Sequence, residues 1–301
     1  MLLRHGPWRP PPSRKYVLVT PARNEEAYLP RTMESVLAQR VKPARWVIVS
    51  DGSTDRTEAI ARQYAAGSDF VEVLHREGGP DAGFDSKVRA FRAGWRRLRP
   101  LEFDFIGNLD ADVTFGPDYF ERLIDEFVRN PRLGVGGGWV CEKRRGAFRP
   151  RPGNTTRDAS GAVEIFRRRC FEEIEGFPEL RYGGEDAAAQ AVARMHGWEV
   201  ASFPHLRVQH HKTPGSQLAL NCRLQFREGF RDYVLGYHPL YLAGKCVRRV
   251  TVRPWLLGSA FRLGGYLWAL MRRVRQGLDP KVVAFVRREQ LERIRELWGQ
   301  T

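Results

Sequence analysis

The chain has 301 residues, of which 42% are hydrophobic and 28% charged, and it carries a formal net charge of +15. This composition and length exclude a disordered protein and allow one substantial core, alone or with a small appendage. The four cysteines form no CxxC pair and have no histidine at zinc-site spacing, which argues against a disulfide scaffold or a zinc module and favours a reducing compartment.

The first 14 residues contain several prolines and predict a flexible leader. They include no long apolar segment of the kind found in secretory signal peptides. We therefore expect a cytoplasmic protein.

Strand and helix patterns alternate through the first 130 residues. Short apolar runs predict strands at 16–20, 46–50, 70–75 and 103–109. Apolar residues at helical spacing, such as Leu29 and Met33, predict helices between them. This alternation is typical of an α/β fold with a mostly parallel sheet, helices on its faces and ligands at the carboxyl ends of its strands.

Two local patterns refine this prediction. Asp55 and Glu58 have the spacing of a capping box and predict the start of a helix. Further along, Gly136, Gly137 and Gly138 predict the start of a loop-rich stretch. Beyond them, residues 160–177 and 183–200 predict a strand followed by a helix, and then a further helix.

The positive charge is concentrated in residues 221–301, which carry 16 Lys and Arg against 6 Asp and Glu. Within this region an apolar run, Trp255 to Met271, contains Arg262 and three glycines. At 17 residues it is marginal for crossing a bilayer, which takes about 20. Apolar and aromatic residues beside cationic ones favour a helix lying in the interface of an anionic membrane. A helix packed on the catalytic domain, with its basic residues in water, and a true membrane span are the alternatives.

Asp110 and Asp112 follow directly after the apolar run of the fourth strand. Charge at a buried strand end costs free energy unless it is compensated. The first strand is followed by PARNEE (21–26), not by a glycine-rich phosphate loop, so a bound diphosphate would need a metal to neutralise it. Aspartate oxygens are preferred ligands of Mg²⁺ and Mn²⁺. The pair therefore predicts a metal–diphosphate site, although such aspartates are also common in turns.

Other polar residues follow neighbouring strands. Asp51 ends the second strand, where its carboxylate could accept hydrogen bonds from a base or a ribose, or could cap the next helix. Arg23 and Glu25 would face the same crevice or form an exposed ion pair. Glu185 and Asp186 begin an alanine-rich helix, where they could supply a general base or could complement the helix dipole.

Five segments resemble, in this order, the family 2 glycosyltransferases of the GT-A fold. The resemblance covers about residues 15–215 and predicts a catalytic domain at 15–220, with residues 221–301 as a basic amphipathic helical region. The order of the five segments is more specific than any one of them. They are TPARNEEAYLPRTMESVLAQ (20–39), VSDGSTDRT (49–57), NLDADVTF (108–115), SGAVEIFRRRCFEEIEGF (160–177) and GGEDAAAQAVARMHGWEV (183–200).

The resemblance implies a metal-dependent, inverting transferase that uses a nucleotide-sugar donor and Mn²⁺ or Mg²⁺. It also assigns roles by position. The residues matched to nucleotide-sugar binding are Pro21, Arg23, Glu25, Asp51, Lys87, Asp110 and Asp112. Of these, Asp110 and Asp112 match the metal site, with Asp112 as the expected direct ligand, and His210 falls where many relatives place a histidine near the metal. Asp186 matches the general base, with Glu185 beside it.

The chain departs from the family pattern at three places. His211 next to His210 makes the histidine assignment ambiguous. Ser50 stands where relatives often carry a second aspartate, and Asp85-Ser86 replaces the usual glycine before Lys87. The last two departures leave the base preference open.

These observations predict a transferase that works at the inner face of the cell membrane, in assembly of a bacterial surface polysaccharide or glycolipid. The expected partners are a nucleotide-sugar donor, an acceptor glycan that could be polyprenyl-diphosphate-linked, and an anionic membrane surface, but no nucleic acid. The alternatives are a sugar-phosphate nucleotidyltransferase, a glycoside hydrolase and a nucleic-acid-binding protein. The first needs a glycine-rich basic loop after the first strand, the second needs no metal–diphosphate site, and the third is opposed by the acidic crevice.

Overall fold

The computed structural model describes residues 14–78, 84–144, 146–212, 218–248 and 255–298. The predicted flexible leader, apart from Arg14, lies outside the described residues. The described strands form one nine-stranded sheet in the order β3-β2-β1-β4-β8-β6-β9-β5, with β7 paired to β6. The strands are β1 (Tyr16–Ala22), β2 (Arg45–Asp51), β3 (Val71–Arg76), β4 (Phe105–Leu109), β5 (Val113–Phe115), β6 (Leu133–Arg144), β7 (Ala147–Pro150), β8 (Val163–Arg167) and β9 (Glu199–His210).

Ten helices are found in the described ranges. The first six, with the sheet, make up what we call the sheet half. They are α1 (Leu29–Leu37), α2 (Thr57–Ala65), α3 (Phe84–Leu98), α4 (Tyr119–Arg129), α5 (Arg168–Glu173) and α6 (Glu185–Met195). The remaining four, which we call the C-terminal helices, are α7 (Leu218–Val234), α8 (Pro239–Arg248), α9 (Trp255–Met271) and α10 (Pro280–Trp298).

The first four strands are parallel, with β1 pairing to both β2 and β4 and β2 pairing to β3. Their side chains alternate between two cores. Tyr16 and Leu18 face the core covered by α1, α2 and α4, whereas Val17 and Val19 face the core covered by α3, α5 and α6. The carboxyl ends of these strands therefore meet at one edge of the sheet, as the sequence predicted.

Beyond β4 the sheet becomes mixed. β8 pairs antiparallel with both β4 and β6, β6 and β9 are parallel, and the short β5 pairs antiparallel with β9. The pairing of β5 with β9 places Val113 opposite His210. The end of β9 is thereby brought back to the edge at which β4 ends.

The glycine run in the middle of the chain is not the start of a loop, and that prediction is wrong. Gly136, Gly137 and Gly138 lie inside β6. A Cβ atom on Gly136 would come within 2.9 Å of the Phe127 ring, and one on Gly137 within 2.8 Å of the Val163 carbonyl oxygen. Glycine is required here because neighbouring elements approach closely, and not because the chain turns.

The predicted capping box forms only in part. The Asp55 carboxylate accepts a hydrogen bond from the Thr57 N–H at 2.9 Å, at the start of α2. Glu58 does not bond back to Asp55, because its carboxylate is engaged by Arg62 and by His75 of the neighbouring β3. A tertiary contact therefore replaces the local one.

The C-terminal helices pack tightly on one another and on the sheet half. Cβ atoms on Gly229 of α7 and Gly265 of α9 would overlap the backbone of the opposite helix. The Arg262 guanidinium, inside the apolar run, is 3% exposed and bonds the buried Asp232 carboxylate at 2.7 Å. α10 in turn packs Val282 and Val286 near α6.

One side of α9 thus packs on α7 and α8, and its Arg262 is buried rather than in water. Among the helices that the structure describes, none combines the length and the apolar character needed to cross a membrane.

Candidate functional site

Two adjoining cavities open at the carboxyl edge of the sheet. The β1–β2 cavity lies at the ends of the first two strands, and the α6 cavity lies below the start of α6. Asp110 and Lys87 line both. Every residue that the sequence predicted for the site lines one or the other. Those in the β1–β2 cavity are Pro21, Arg23, Glu25, Asp51, Lys87, Asp110 and Asp112, and those in the α6 cavity are Lys87, Asp110, Glu185, Asp186 and His210.

The wall shared by the cavities carries a tight ion pair. Lys87 Nζ lies 2.6 Å from Asp110 Oδ1. Burial raises the pKa of the Asp110 carboxyl, and the charge of Lys87 partly offsets this increase. Burial alone would lower the pKa of Lys87, but Asp110 and Glu185 raise it above its usual value. Lys87 is therefore a fixed positive charge between the cavities.

Asp110, Asp112 and His210 form a cluster whose ligand atoms all lie within 4.8 Å of one another. His210 Nε2 is 3.1 Å from Asp112 Oδ2, and His210 Nδ1 is buried without a hydrogen-bond partner in the described chain. Burial opposes protonation of His210, yet Asp112 and Asp110 raise its pKa. Two carboxylates and an imidazole fit a divalent cation such as Mn²⁺.

The two neighbouring histidines have different surroundings. His211 Nε2 lies 2.9 Å from Thr114 Oγ1, and its ring packs edge-on against Phe148. Burial and the charge of Arg31 lower the pKa of His211. His210, rather than His211, is the histidine that the fold places beside the aspartates.

Asp51 does not cap α2, whose N-cap residue is Arg56. Its carboxylate is instead bonded by the Arg76 guanidinium and by the Ser86 hydroxyl. Arg76 was missed by the sequence analysis, although it ends the third parallel strand opposite Asp51. Ser86 is one of the departures from the family pattern. Its hydroxyl helps to hold the Asp51 carboxylate at the β1–β2 cavity.

Arg23 and Glu25 do not form the ion pair considered above. Glu25 pairs with Lys212 from the end of β9, and burial raises the pKa of its carboxyl. One nitrogen of Arg23, Nη1, is buried with no hydrogen-bond partner among the described residues. Lys212 was also missed, because its partner is distant in the sequence.

Asp186 is placed by backbone geometry on both sides. Gly184 before α6 has a φ of 92°, which favours glycine. Asp186 Oδ1 accepts a hydrogen bond from the Ala187 N–H at 2.7 Å. A Cβ atom on Gly161 would lie 2.7 Å from Asp186 Oδ2. Burial raises the pKa of the adjacent Glu185 carboxyl.

Asp186 also lines a third cavity. This α8–α10 cavity is lined by residues of α6, α8 and α10 and of the segment 153–159, and Asp186 is the residue it has in common with the α6 cavity. Tyr237 and Tyr241 contribute aromatic rings to it. The sequence analysis missed these residues, because no local motif connects them with the site.

A protein-family model matches most of the sheet half. The model of glycosyl transferase family 2 matches residues 17–182, which is more than half of the chain. A 4,4'-diaponeurosporenoate glycosyltransferase of Staphylococcus aureus (strain MRSA252) is 34% identical over 119 residues, or 39% of this chain and 29% of the relative. The uncharacterized glycosyltransferase EpsJ of Bacillus subtilis (strain 168) is 27% identical over 123 residues, or 40% and 33%. The chain thus matches about a third of the length of these relatives.

Solved structures resemble the chain over a longer range. Staphylococcus aureus TarS (residues 1–349) in complex with UDP-GlcNAc has a TM-score of 0.52 at 17% identity, covering 71% of this chain and 66% of that one. The mannosyltransferase PcManGT from Pyrobaculum calidifontis, in complex with GDP-Man and Mn²⁺, has a TM-score of 0.56 at 16% identity, covering 93% and 82%. At these identities the likeness concerns the fold.

Proposed function

Since the chain belongs to glycosyl transferase family 2 and has the GT-A fold that its sequence predicted, we propose that it transfers a sugar from a nucleotide-sugar donor to an acceptor hydroxyl, with inversion and with a divalent cation. Family membership makes the chain a glycosyltransferase and excludes the alternatives of a nucleotidyltransferase and a glycoside hydrolase. The cluster of Asp110, Asp112 and His210 is the observation that carries the metal-dependent mechanism.

The two cavities at the carboxyl edge suit the two ends of a nucleotide sugar. The nucleoside would occupy the β1–β2 cavity, which Asp51 lines, and the Arg76 guanidinium bonded to Asp51 would offer a donor next to this acceptor. This pair is complementary to a base that carries an N–H beside a C=O, as uracil, thymine and guanine do. Lys87, on the shared wall, would bind the diphosphate. The sugar would then lie in the α6 cavity, beside Asp186.

The chemistry follows from the position of Asp186. A carboxylate fixed at the junction of two cavities can accept the proton of an acceptor hydroxyl as its oxygen attacks the anomeric carbon. A single displacement of this kind inverts the configuration at that carbon. Mg²⁺ or Mn²⁺ held by Asp112, Asp110 and His210 would stabilise the charge of the departing nucleoside diphosphate. The solved structure of PcManGT in complex with GDP-Man and Mn²⁺ supports this choice of ion.

The acceptor is proposed to bind in the α8–α10 cavity, because Asp186 borders this space as well as the α6 cavity. Aromatic faces and hydroxyls, as on Tyr237 and Tyr241, suit a sugar ring. A glycan acceptor in this position would present its hydroxyl to Asp186 from the side opposite to the donor. We also propose that this acceptor is linked to a polyprenyl diphosphate. The reason is the exposed surface of α9.

α9 presents an apolar face to its surroundings. Its exposed residues are Leu256, Leu257, Phe261, Leu263, Leu267, Trp268, Leu270 and Met271. The helix is about 25 Å long, and Arg272, Arg273 and Arg275 follow it on the surface. An apolar face next to cationic side chains suits peripheral contact with an anionic membrane, where a lipid-linked acceptor of surface polysaccharide or glycolipid synthesis would be found.

The experiment that tests the metal-dependent mechanism is a binding titration with UDP-, GDP- and dTDP-sugars, with and without Mn²⁺. We expect one base to be preferred and Mn²⁺ to tighten binding. Asp112→Asn should lose about tenfold or more of this metal-dependent affinity, because it removes a carboxylate ligand. Asp69→Asn, at an exposed aspartate far from the cavities, is the matched control. Equal titration curves for Asp112→Asn and the control would contradict the metal site.

A further inference from the structure

The α6 cavity contains a carboxyl group to which none of the five family-like segments assigned a role. Glu164 of β8 lines this cavity and its side chain is fully buried. Glu164 Oε2 accepts a hydrogen bond from Gln190 Nε2 at 3.0 Å. Glu164 Oε1 has no hydrogen-bond partner among the described residues. A buried polar atom without a partner is costly to folding and calls for an explanation.

The surroundings of Glu164 favour its neutral form. Burial raises the pKa of its carboxyl well above the usual value, and the charges of Asp186 and Glu185 raise it further, against the opposing effects of Gln190 and Lys87. A neutral carboxyl has one O–H donor. Because Oε2 accepts from Gln190, Oε1 is the oxygen that is free to carry this proton. In the neutral form the unpartnered oxygen is therefore able to donate a hydrogen bond.

A purely structural role does not account for this group. Gln190 is already fixed without Glu164, since its side chain exchanges two hydrogen bonds with the backbone of Ala159. Gln190 Oε1 accepts from the Ala159 N–H at 3.1 Å, and Gln190 Nε2 donates to the Ala159 carbonyl at 2.9 Å. These bonds connect α6 to the neighbouring loop by themselves. An apolar side chain at position 164 would avoid an unpartnered oxygen.

We propose that Glu164 is a specificity-determining residue for the transferred sugar, whose hydroxyl or acetamido oxygen accepts a hydrogen bond from Glu164 Oε1. This inference rests on the proposed function, which places the sugar in the α6 cavity. Glu164 does not line the β1–β2 cavity, so it contacts the glycosyl group and not the nucleoside. Its contribution to binding is present with a nucleotide sugar and absent with the bare nucleoside diphosphate.

The test compares two substitutions of similar size, Glu164→Leu and Glu164→Gln. Binding of the preferred nucleotide sugar and of its nucleoside diphosphate is measured by calorimetry with Mn²⁺. We expect Glu164→Leu to bind the nucleotide sugar about 3- to 10-fold more weakly, the range of one neutral hydrogen bond, and the nucleoside diphosphate as the wild type does. Glu164→Gln should bind both within about twofold, because its amide can accept from Gln190 and donate into the cavity.

Three results would overturn the assignment. One is unchanged nucleotide-sugar affinity in Glu164→Leu. Another is an equal loss for both ligands, which indicates a structural role. The third is a loss in Glu164→Gln as large as in Glu164→Leu, which indicates that the charged form is used. If Glu164→Leu does not fold, Glu164→Met takes its place. Failure of the wild-type protein to bind any nucleotide sugar would instead refute the proposed function, and the inference with it.

Discussion

The sheet half and the C-terminal helices distribute charge and apolar surface in opposite ways. In the sheet half the apolar side chains are inside, and the carboxyl edge collects acidic groups and several buried polar atoms that have no hydrogen-bond partner among the described residues, such as His210 Nδ1 and Glu164 Oε1. The C-terminal helices bury an ion pair between Asp232 and Arg262, whereas α9 exposes a row of apolar residues. Buried charge thus belongs to the candidate ligand site in the sheet half and to helix packing in the C-terminal helices.

The largest effect expected from this contrast is on catalysis at the carboxyl edge. Asp186→Asn should lower the rate of transfer by about 10²–10⁴-fold, because the amide cannot accept the proton of the acceptor hydroxyl. Affinity for the nucleotide and Mn²⁺ should change little. Glu185→Gln is the neighbouring control and should lose less activity. Loss of nucleotide binding in Asp186→Asn, measured by calorimetry, would show that this residue holds the donor rather than the proton.

The next effect is on the stability of the C-terminal helices. Asp232→Ala should destabilise the fold by about 3–5 kcal/mol, because it removes the carboxylate that pairs with the buried Arg262 and the half-buried Lys245. Urea unfolding followed by circular dichroism measures this change, with Asp69→Ala as the exposed control. A change below about 1 kcal/mol, the range of surface ion pairs, would remove the distinction between the two regions.

A smaller effect is expected for the exposed face of α9. Replacing Leu256 and Leu267 by Gln should weaken binding to anionic vesicles by roughly tenfold or more, since each leucine contributes about 1.5–3 kcal/mol when it is fully buried. Binding should also weaken with salt, because Arg272 and its neighbours contribute electrostatically. Leu101→Gln, on the sheet half, is the control. Equal binding by the wild-type and double-variant proteins, or preference for duplex DNA over vesicles, would contradict the membrane proposal.

A further effect, which develops gradually with pH, is the change of stability at Glu164. The pKa of this carboxyl is raised by burial in the folded state, so above the usual glutamate pKa the unfolded chain loses a proton that the folded chain keeps. Folding stability therefore falls as pH rises, by at most about 1.4 kcal/mol per pH unit until the folded-state pKa is reached. Glu164→Gln removes this dependence and should be more stable than the wild type at pH 8 but not at pH 4. A constant difference across this range, in urea unfolding without metal, would refute the neutral form.

Asp232 should show the opposite dependence. Burial opposes its ionisation, but the charges of Lys245 and Arg262 lower its pKa below the usual value. Its contribution to stability is therefore present above the usual aspartate pKa and is lost as pH falls toward the lowered one. Lowering the pH should therefore destabilise the C-terminal helices. It should have the opposite effect on the sheet half, where buried acids such as Glu164 have raised pKa values.

The fold of the sheet half was largely predictable because its signals are local. The apolar run of β1 and the helical spacing of Leu29 and Met33 are both found at buried positions of the structure, and the fold class is confirmed. The β6 glycines were misread, since a run such as Gly136 to Gly138 has the same composition in a turn and in a closely packed strand. Only the approach of Phe127 and of β8 distinguishes the two cases.

For the candidate site, the sequence indicated which residues lie at the carboxyl edge of the sheet, but not what they contact. Residues in short motifs, such as Asp110 and Asp186, line the α6 cavity, and the roles that the family pattern assigns to them stay predictions. Arg76 and Lys212 were missed because each meets its partner across strands that are far apart in the sequence. Glu164 was missed because an acidic residue inside an apolar strand pattern gives no sign of which cavity it borders.

The close contact between Asp186 and Gly161 limits which residue this enzyme can carry at position 161. A single methyl group at position 161 would press on the carboxylate from 2.7 Å and force it to shift, although residue 161 takes part in no chemical step. Under the proposed acceptor site, substitutions that broaden the range of acceptors belong at Tyr237 and Tyr241, whereas position 161 has to remain glycine.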